Sequence, residues 1–307
     1  MNNSIYFITG PTAIGKSEFA LKLSKKINGE IINADSMQVY KELRILSARP
    51  TASDTKQVMH HLYGYISGDK RYNVEQWCSD AVKKINFLYK KNKIPIFVGG
   101  TGLYIDSLIN GITSIPRIPE SLKDDSTKLL NKIGSKNFYN LVMNLDKDAT
   151  ININQNDIQR LKRIWEVYSY TKKKFSVWKK NENKKFIKSI NLKIILFTPD
   201  REKNYERVNN RVLKMIDNGA IQEIKELVNL KYKINLPIMK AHGVPEIISY
   251  LNKSTSLDEC IKNIQLVTRH YVKRQNTWWR SSKLPILKKF NEFPDEIDIK
   301  STNLPYF

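Results

Sequence analysis

Residues Gly10-Pro11-Thr12-Ala13-Ile14-Gly15-Lys16-Ser17 have the spacing of a phosphate-binding loop, and they stand between an apolar run, Ser4 to Ile8, and a helical pattern beginning near Gly15. A loop of this kind works at the exit of a parallel strand. Its glycines let backbone amides curl around phosphate oxygens, and the helix that follows adds its N-terminal dipole. Lys16 contributes a positive charge, and Ser17 a hydroxyl that can ligate Mg²⁺. The competing reading, a glycine turn with no ligand, does not account for the strand before it and the helix after it.

The rest of the chain extends this pattern. Phe19, Ala20, Leu23 and Ile27 fall at helical spacing, so Gly15 to Ile27 is expected to be a helix. Glu30 to Asn33 reads as a short second strand ending at Asp35. A helical pattern from Asn73 to Lys91 leads into Ile94 to Val98, a run short enough for a parallel strand and punctuated by Gly99-Gly100. Strands alternating with helices predict an α/β fold: a P-loop NTPase-like doubly wound parallel sheet. The alternation lapses after Gly111. From Ile115 to Ile190 there are helical patterns and polar breaks but no convincing strand, and the buried-strand style resumes at Leu192 to Thr198. The expected organisation is a P-loop α/β core from 1–114 and 191–307, carrying C-terminal helices, with a helical insertion at 115–190. Arg201 to Arg280 reads as mostly amphipathic helix, broken around Ala241 to Pro245. The tail after Ser281 has little periodicity and is expected to be ordered only by docking.

Charge is the second constraint. The chain carries 52 Lys and Arg against 30 Asp and Glu, a formal net charge of +22. That balance suits a polyanion such as nucleic acid. Lys, Asn and Ile are abundant throughout, however, as an AT-rich coding sequence would make them, so clustering has to decide. Arg160 to Lys188 holds eleven Lys or Arg against two Glu, interleaved with Trp165, Tyr168, Tyr170, Phe175, Trp178 and Phe186. This suits RNA, whose phosphates attract cations and whose unstacked bases stack on aromatic rings. It suits equally an amphipathic helix with aromatics in the core and lysines in water. Lys273 to Arg280 repeats the chemistry, and two such clusters favour the RNA reading. Cys78 and Cys260 are the only cysteines and lie far apart, pointing to a reducing compartment and no zinc site. With no signal peptide and no apolar run of membrane-spanning length, a soluble, cytoplasmic protein is expected.

A hydrolytic P-loop enzyme needs an acidic residue at the end of a later apolar strand to hold Mg²⁺. Here Ile94 to Val98 ends in Gly99-Gly100-Thr101-Gly102. The carboxylate instead follows the second strand, in Asp35-Ser36-Met37-Gln38-Val39-Tyr40. In open parallel sheets ligands sit outside the carboxyl ends of the strands, so Asp35 and Thr101 should face the loop. Asp35 is either a base that takes a proton from a nucleophile or a helix N-cap.

These segments together resemble the bacterial tRNA dimethylallyltransferases, the isopentenyl-pyrophosphate transferase family. GPTAIGKS at Gly10 to Ser17, ADSMQVY at Ala34 to Tyr40, VGGTGLY at Val98 to Tyr104, NDIQRLKRIWEV at Asn156 to Val167, MKAHGVPE at Met239 to Glu246 and KRQNTWWR at Lys273 to Arg280 are similar to family signatures in family order. The resemblance implies attack by the N6 amine of the adenosine adjacent to the anticodon on the allylic carbon of dimethylallyl pyrophosphate, with pyrophosphate leaving. Mg²⁺ is the implied cofactor, held through Ser17, and a monomer is expected. Asp35 is implied as general base, with Lys16 and Thr101 beside it in catalysis. Gly10, Pro11, Thr12, Ala13, Ile14, Gly15, Lys16 and Ser17 would hold the pyrophosphate. Arg207 and Arg211, four residues apart on a predicted helix, share a face that can clamp it.

By the same resemblance the tRNA anticodon stem-loop would be met by Asp35, Ser36, Met37, Gln38 and Thr101, with Gln38 reading the target base. It would also be met by Lys123, by Gln159, Arg160, Leu161, Lys162 and Arg163, and by Lys240, Ala241, His242, Gly243, Val244 and Pro245. Lys273, Arg274, Gln275, Asn276, Thr277, Trp278, Trp279 and Arg280 complete that set. Lys123 stands where the family frequently has Arg, and Leu46-Ser47-Ala48-Arg49-Pro50 where it usually has Gly-Thr-Ala-Lys-Pro. Three other activities share parts of the pattern: a prenyltransferase for free adenine nucleotides, an RNA-binding P-loop NTPase or kinase, and a nucleic-acid-binding module with a vestigial loop.

Overall fold

A computed structural model describes residues 4–187 and 191–298. In chain order the elements are β1 (Ser4–Thr9), α1 (Lys16–Ile27), β2 (Gly29–Asn33), α2 (Ala52–Gln57), β3 (His60–His61), α3 (Val74–Lys90), β4 (Ile94–Gly99) and α4 (Gly102–Asn110). There follow β5 (Ile112–Thr113), α5 (Glu120–Leu145), α6 (Lys147–Thr150), α7 (Ile158–Thr171), α8 (Phe175–Lys179) and β6 (Asn183–Lys184). The chain continues with β7 (Asn191–Phe197), α9 (Arg201–Asp217), α10 (Ala220–Asn229), α11 (Val244–Leu251), α12 (Leu257–Ser281) and β8 (Ile286–Phe290). The described residues of 1–109 and 186–307 form one compact unit, and residues 110–185 a second.

The first unit is built on a six-stranded sheet of order β3-β2-β4-β1-β7-β8, every pair parallel. Strict alternation along the buried strands feeds two apolar layers, as expected for a sheet covered on both faces. Ile5 and Phe7 of β1, Ile32, Phe97, Ile194 and Leu196 enter one layer with Trp77, Ile85 and Leu88 of α3. Tyr6 and Ile8, Ile31, Ile96, Val98, Ile195 and Phe197 enter the other, against Phe19, Ala20 and Leu23 of α1. Ring packing fixes the layers: Phe7 stacks on Phe97 at 5.0 Å, and Phe19 meets Phe197 edge-on at 5.0 Å. The register pairs Thr9 with Gly99 and Asn33 with Val98. The loops leaving β1, β2 and β4 therefore emerge level with one another at the carboxyl edge of the sheet.

Three local features differ from the sequence expectation. Residues 286–290 do form a strand, β8, parallel to β7, with Phe290 stacked on Phe197 at 5.3 Å. Its middle faces solvent, as edge strands do, so no apolar run announces it. The stretch read as strandless contains β6, which pairs antiparallel with β5 through two residues on each side. β3 is likewise two residues long, below the length at which alternation can register.

The second unit packs α5 against α7 around Phe138, Val142, Leu161 and Ile164, with Trp165 and Phe175 at the margin. Gly134, at φ 78°, breaks α5. In the first unit, Gly102 opens α4 directly beneath the indole of Trp278, and a Cβ there would lie far inside van der Waals contact with the ring. Gly102→Ala is therefore expected to cost about 1–3 kcal/mol, the usual penalty of overpacking. Urea denaturation of the variant measures it.

Candidate active site

The loop after β1 takes its shape from three residues at positive φ: Gly10 at 138°, Ala13 at 66° and Gly15 at 94°. At Gly10 a Cβ would also strike the carbonyl of Phe197 on the neighbouring strand, so only glycine fits. Gly15 caps α1 in the left-handed region and offers no side-chain cap, which leaves the first-turn amides of α1 unclaimed by a cap side chain. The Lys16 ammonium folds back to donate to the Pro11 carbonyl. Desolvation in the loop pushes its pKa down to about 7; the Asp35 carboxylate works against that shift, and Arg211 adds to it. Ser17, next on the helix, is exposed.

Two side chains from distant helices hold the loop. Arg211 of α9 donates from Nη2 to Thr12 Oγ1 at 2.9 Å, and Gln275 of α12 accepts the Thr12 amide at Oε1 at 2.8 Å. Burial lowers the Arg211 pKa to about 10, with Asp35 opposing the shift. Its Nε is buried without a hydrogen-bond partner among the described residues. Arg207, one turn earlier, instead forms a two-pronged ion pair with Asp295 at 2.8 and 3.1 Å, its guanidinium 3.7 Å from the Phe293 ring centre. The two arginines do share a helix, but only Arg211 bonds the loop.

Asp35 is fixed by the residue that ends β2. The buried Asn33 side chain accepts the Asp35 amide at 2.8 Å and donates to the Asp35 carbonyl at 2.9 Å, while Trp77 Nε1 donates to the Asn33 carbonyl at 2.9 Å. Asp35 Oδ1 accepts the Met37 amide at 2.9 Å, closing an Asx turn. No helix begins there: the next one, α2, starts at Ala52, so Asp35 is not a helix cap. Its Oδ2 has no hydrogen-bond partner among the described residues. Its charge acts on both Lys16 and Arg211.

The third loop, after β4, lies between these two. Gly99 leaves no room for a Cβ beside the Ala34 backbone, and Gly100 none beside the Gln275 amide. Thr101 Oγ1 accepts the Ser36 amide at 3.2 Å. Burial, then Asp35, pushes the phenol of Tyr271 on α12 well above the usual tyrosine range, while Thr101 and Gln275, both within its electrostatic reach, oppose the shift. Gln38 donates its amide to the carbonyls of Ser47 and Ala48 at 2.8 and 3.0 Å. The Glu223 carboxylate secures that neighbouring loop by accepting three successive amides, Arg44, Ile45 and Leu46, at 2.7, 2.7 and 3.0 Å.

The remaining expected contact residues divide by burial. Lys240, Pro245, Lys273, Arg274 and Arg280 reach the surface to differing degrees, whereas Ala241, Gly243, Val244, Gln275 and Trp279 are buried. His242 lies against Tyr271 at 4.9 Å between ring centres and within 3.2 Å of Arg274 Nη2. Burial and Arg274 hold its pKa down to about 4, so it is neutral at pH 7 and adds no charge for phosphate. Asn276 is oriented inward, with Oδ1 buried and unpartnered among the described residues.

In the second unit Gln159 and Arg160 are exposed, but Leu161 is a core residue at 0% exposure. Arg160 pairs with Asp157 at 3.3 Å, Lys123 with Glu120 at 3.0 Å, and Lys162 bonds Thr127. Burial lowers the pKa of Arg163, and the neighbouring Glu166 carboxylate opposes that shift. The aromatic residues of this segment serve both readings: Trp165 and Phe175 pack on the core, while Tyr170 is 46% exposed. Lys188, the last cation of the basic run, and Ile190 lie outside the described residues.

Tyr271, Asn33 and Glu223 are the site-shaping residues that the sequence reading passed over. Asn33 and Glu223 act through backbone groups and carry no motif. Tyr271 had a usable signal: it stands four residues before Gln275 and seven before Trp278, on one face of α12.

Comparison with known proteins places the chain in a family. The IPP transferase family model matches residues 38–282, and the isopentenyl transferase model residues 3–64. A tRNA dimethylallyltransferase of Pelagibacter ubique (strain HTCC1062) is 44% identical over 279 residues, 91% of this chain and 89% of its own. One from Wolbachia pipientis wMel is 41% identical over 304 residues, 99% of this chain and 97% of its own. Among solved structures, the tRNA isopentenylpyrophosphate transferase of Bacillus halodurans superposes with a TM-score of 0.69 at 28% identity, covering 97% of this chain and 92% of that one. A eukaryotic dimethylallyltransferase acting on tRNA gives a TM-score of 0.75 at 28% identity, over 90% of this chain and 70% of its own.

Proposed function

The chain belongs to the IPP transferase family of tRNA dimethylallyltransferases, and we propose that it moves the five-carbon group of dimethylallyl pyrophosphate to the N6 amine of the adenosine adjacent to the anticodon. The observation that carries this reading is the convergence, at one edge of the sheet, of an anion cradle with a carboxylate that has a free oxygen. Lys16, Arg211 and the loop amides face the place where a diphosphate would sit, and Asp35 lies within electrostatic reach of both cations. The amine attacks the allylic carbon, the carbon–oxygen bond to the diphosphate breaks, and Asp35 Oδ2 takes the proton the amine sheds. Pyrophosphate departs into the cradle, where fixed donors stabilise the charge it gains. The target base has to leave its stack to reach Asp35, and extrusion from a single-stranded loop is cheap.

The donor set fits Mg²⁺ held chiefly by the diphosphate. Among the described residues no three His, Cys, Asp or Glu side chains gather to hold a metal by themselves, while the exposed hydroxyl of Ser17 stands in the first turn of α1. When bound, the ion would offset charge on the departing oxygens. We place tRNA contact on Arg160, the exposed cation of α7, and on the exposed residues of 240–245 and 273–280, and we assign the protein to the cytoplasm. No helix among the described residues is long and apolar enough to cross a membrane.

Two expectations follow. Excess AMP should leave transfer to tRNA unchanged, since the basic surfaces have no use for a mononucleotide; competition by AMP would move the assignment to a free-nucleotide prenyltransferase. The second concerns pH. With a pKa of about 7 in the empty loop, Lys16 is largely neutral at pH 8, yet a bound diphosphate favours its charged form. Binding must then take up a proton, and pyrophosphate affinity should fall by up to about tenfold per pH unit above pH 7.5. Calorimetry in two buffers of different ionisation enthalpy reads the proton uptake directly.

A further inference from the structure

The KRQNTWWR segment is a basic-aromatic run, yet its Gln275 is only 5% exposed and turns away from solvent. Both ends of its amide are used, and each reaches a different loop of the site. Oε1 accepts the Thr12 amide of the phosphate loop at 2.8 Å, and Nε2 donates to the Gly100 carbonyl at 3.0 Å. The two partners lie 263 and 175 residues away in sequence. Gly100 is glycine for this reason: a Cβ there would collide with the Gln275 amide and crowd the Gly10 carbonyl. One turn back on α12 stands Tyr271, whose phenol is within electrostatic reach of Gln275 and Thr101, and Thr101 in turn holds the Ser36 amide next to Asp35. Hydrogen bonds thus tie Thr12 through Gln275 to Gly100, and the next residue of that loop, Thr101, holds the turn that carries the carboxylate, with Tyr271 beside both.

We propose that Gln275 and Tyr271 are positioning residues that set the distance and orientation between the diphosphate cradle and the acceptor carboxylate, rather than contacts to RNA. This rests on the prenyl-transfer reading above. Gln275 acts on the donor side. Drawing the Thr12 amide toward α12 fixes which loop amides remain directed into the cradle, and without it the loop between Gly10 and Gly15 has one fewer anchor. Tyr271 acts on the acceptor side through Thr101. In-line transfer depends on alignment of nucleophile, carbon and leaving group, so loosening either end lowers rate without removing any group that touches substrate.

The test uses Gln275→Met, which keeps length and removes both hydrogen bonds, and Tyr271→Phe, which keeps the ring and removes the hydroxyl. Mg²⁺-pyrophosphate binding is followed by calorimetry, tRNA binding by filter retention, and KM and kcat by steady-state transfer. Gln275→Met is expected to weaken pyrophosphate binding and raise the donor KM by about tenfold, the scale of one lost buried hydrogen-bond pair. Tyr271→Phe should lower kcat by about threefold to tenfold with the donor KM unchanged, the smaller effect of one hydroxyl acting through a second residue. Both should bind tRNA as the unaltered protein does. Gln275→Asn, which retains the amide but falls short, should sit between Met and the native residue in pyrophosphate affinity. Weakened tRNA binding with normal pyrophosphate binding in Gln275→Met would overturn the proposal and make Gln275 an RNA contact. Should Gln275→Met not fold, the kcat and KM pattern of Tyr271→Phe decides alone, and equal loss in both parameters contradicts the account. Pyrophosphate calorimetry needs no acceptor, so a failure of the prenyl-transfer reading shows separately as absent product in the unaltered protein.

Discussion

Asp35→Asn is expected to lower kcat by about a hundredfold to ten-thousandfold, the range spanned by loss of a positioned general base. The substitution is nearly isosteric, and the asparagine Oδ1 can still accept the Met37 amide that closes the turn. Asn33, Thr101 and Trp77 continue to hold the surrounding backbone, so the loop keeps its shape. What disappears is the proton acceptor and one negative charge. That charge stands near Lys16 and Arg211, so its removal leaves the cradle more positive, and affinity for the diphosphate donor should hold or improve. A large fall in kcat with donor KM level or lower is the pattern of a group needed only in the transition state. Single-turnover kinetics beside tRNA filter binding check it. A variant that turns over normally, or that loses only tRNA affinity, would make Asp35 a recognition residue.

Lys16→Met should cost about a hundredfold to a thousandfold in kcat/KM, the scale measured when one donor to developing negative charge is removed. Methionine preserves the unbranched stem and volume while deleting the ammonium. The empty protein is not expected to suffer. Lys16 is held there against its own desolvation, with its pKa pushed down to about 7, and its one side-chain hydrogen bond among the described residues is to a carbonyl of its own loop. The sign follows from the shift: below pH 7 the folded state bears the cost of a charged, desolvated Lys16, and that cost is relieved as pH rises toward the unfolded value. Lys16→Met should therefore leave stability at pH 6 equal or raised, while activity collapses. Urea denaturation and kinetics on the same preparation separate the two. A variant that loses stability and activity in parallel would contradict the assignment of Lys16 to the leaving group.

Much of this arrangement was legible in the chain because it is local. The loop motif sits between Ser4–Thr9 and Lys16–Ile27, where both periodicities are strong, and parallel-sheet geometry alone directs Asp35 and Thr101 to the same edge. The edge strand at 286–290 was not legible, since an exposed strand loses the apolar run that marks the buried ones. Nor was the inward turn of Gln275 and Trp279, because a basic-aromatic segment reads the same whether its aromatics meet bases or the core. Leu161 shows the complementary case: inside NDIQRLKRIWEV, it is the residue that anchors α7 to Phe138 and Val142, while its neighbours Gln159 and Arg160 face solvent. Long-range pairings such as Glu223 with the amides of 44–46 leave no trace in spacing at all.

The most direct test of the central claim is mass analysis of the RNA. Unmodified tRNA is incubated with this protein, Mg²⁺ and dimethylallyl pyrophosphate, then digested to nucleosides. The account predicts a five-carbon group on N6 of the adenosine beside the anticodon, with one pyrophosphate released for each group transferred. Unmodified RNA in the presence of active, Mg²⁺-dependent ATP cleavage would contradict it.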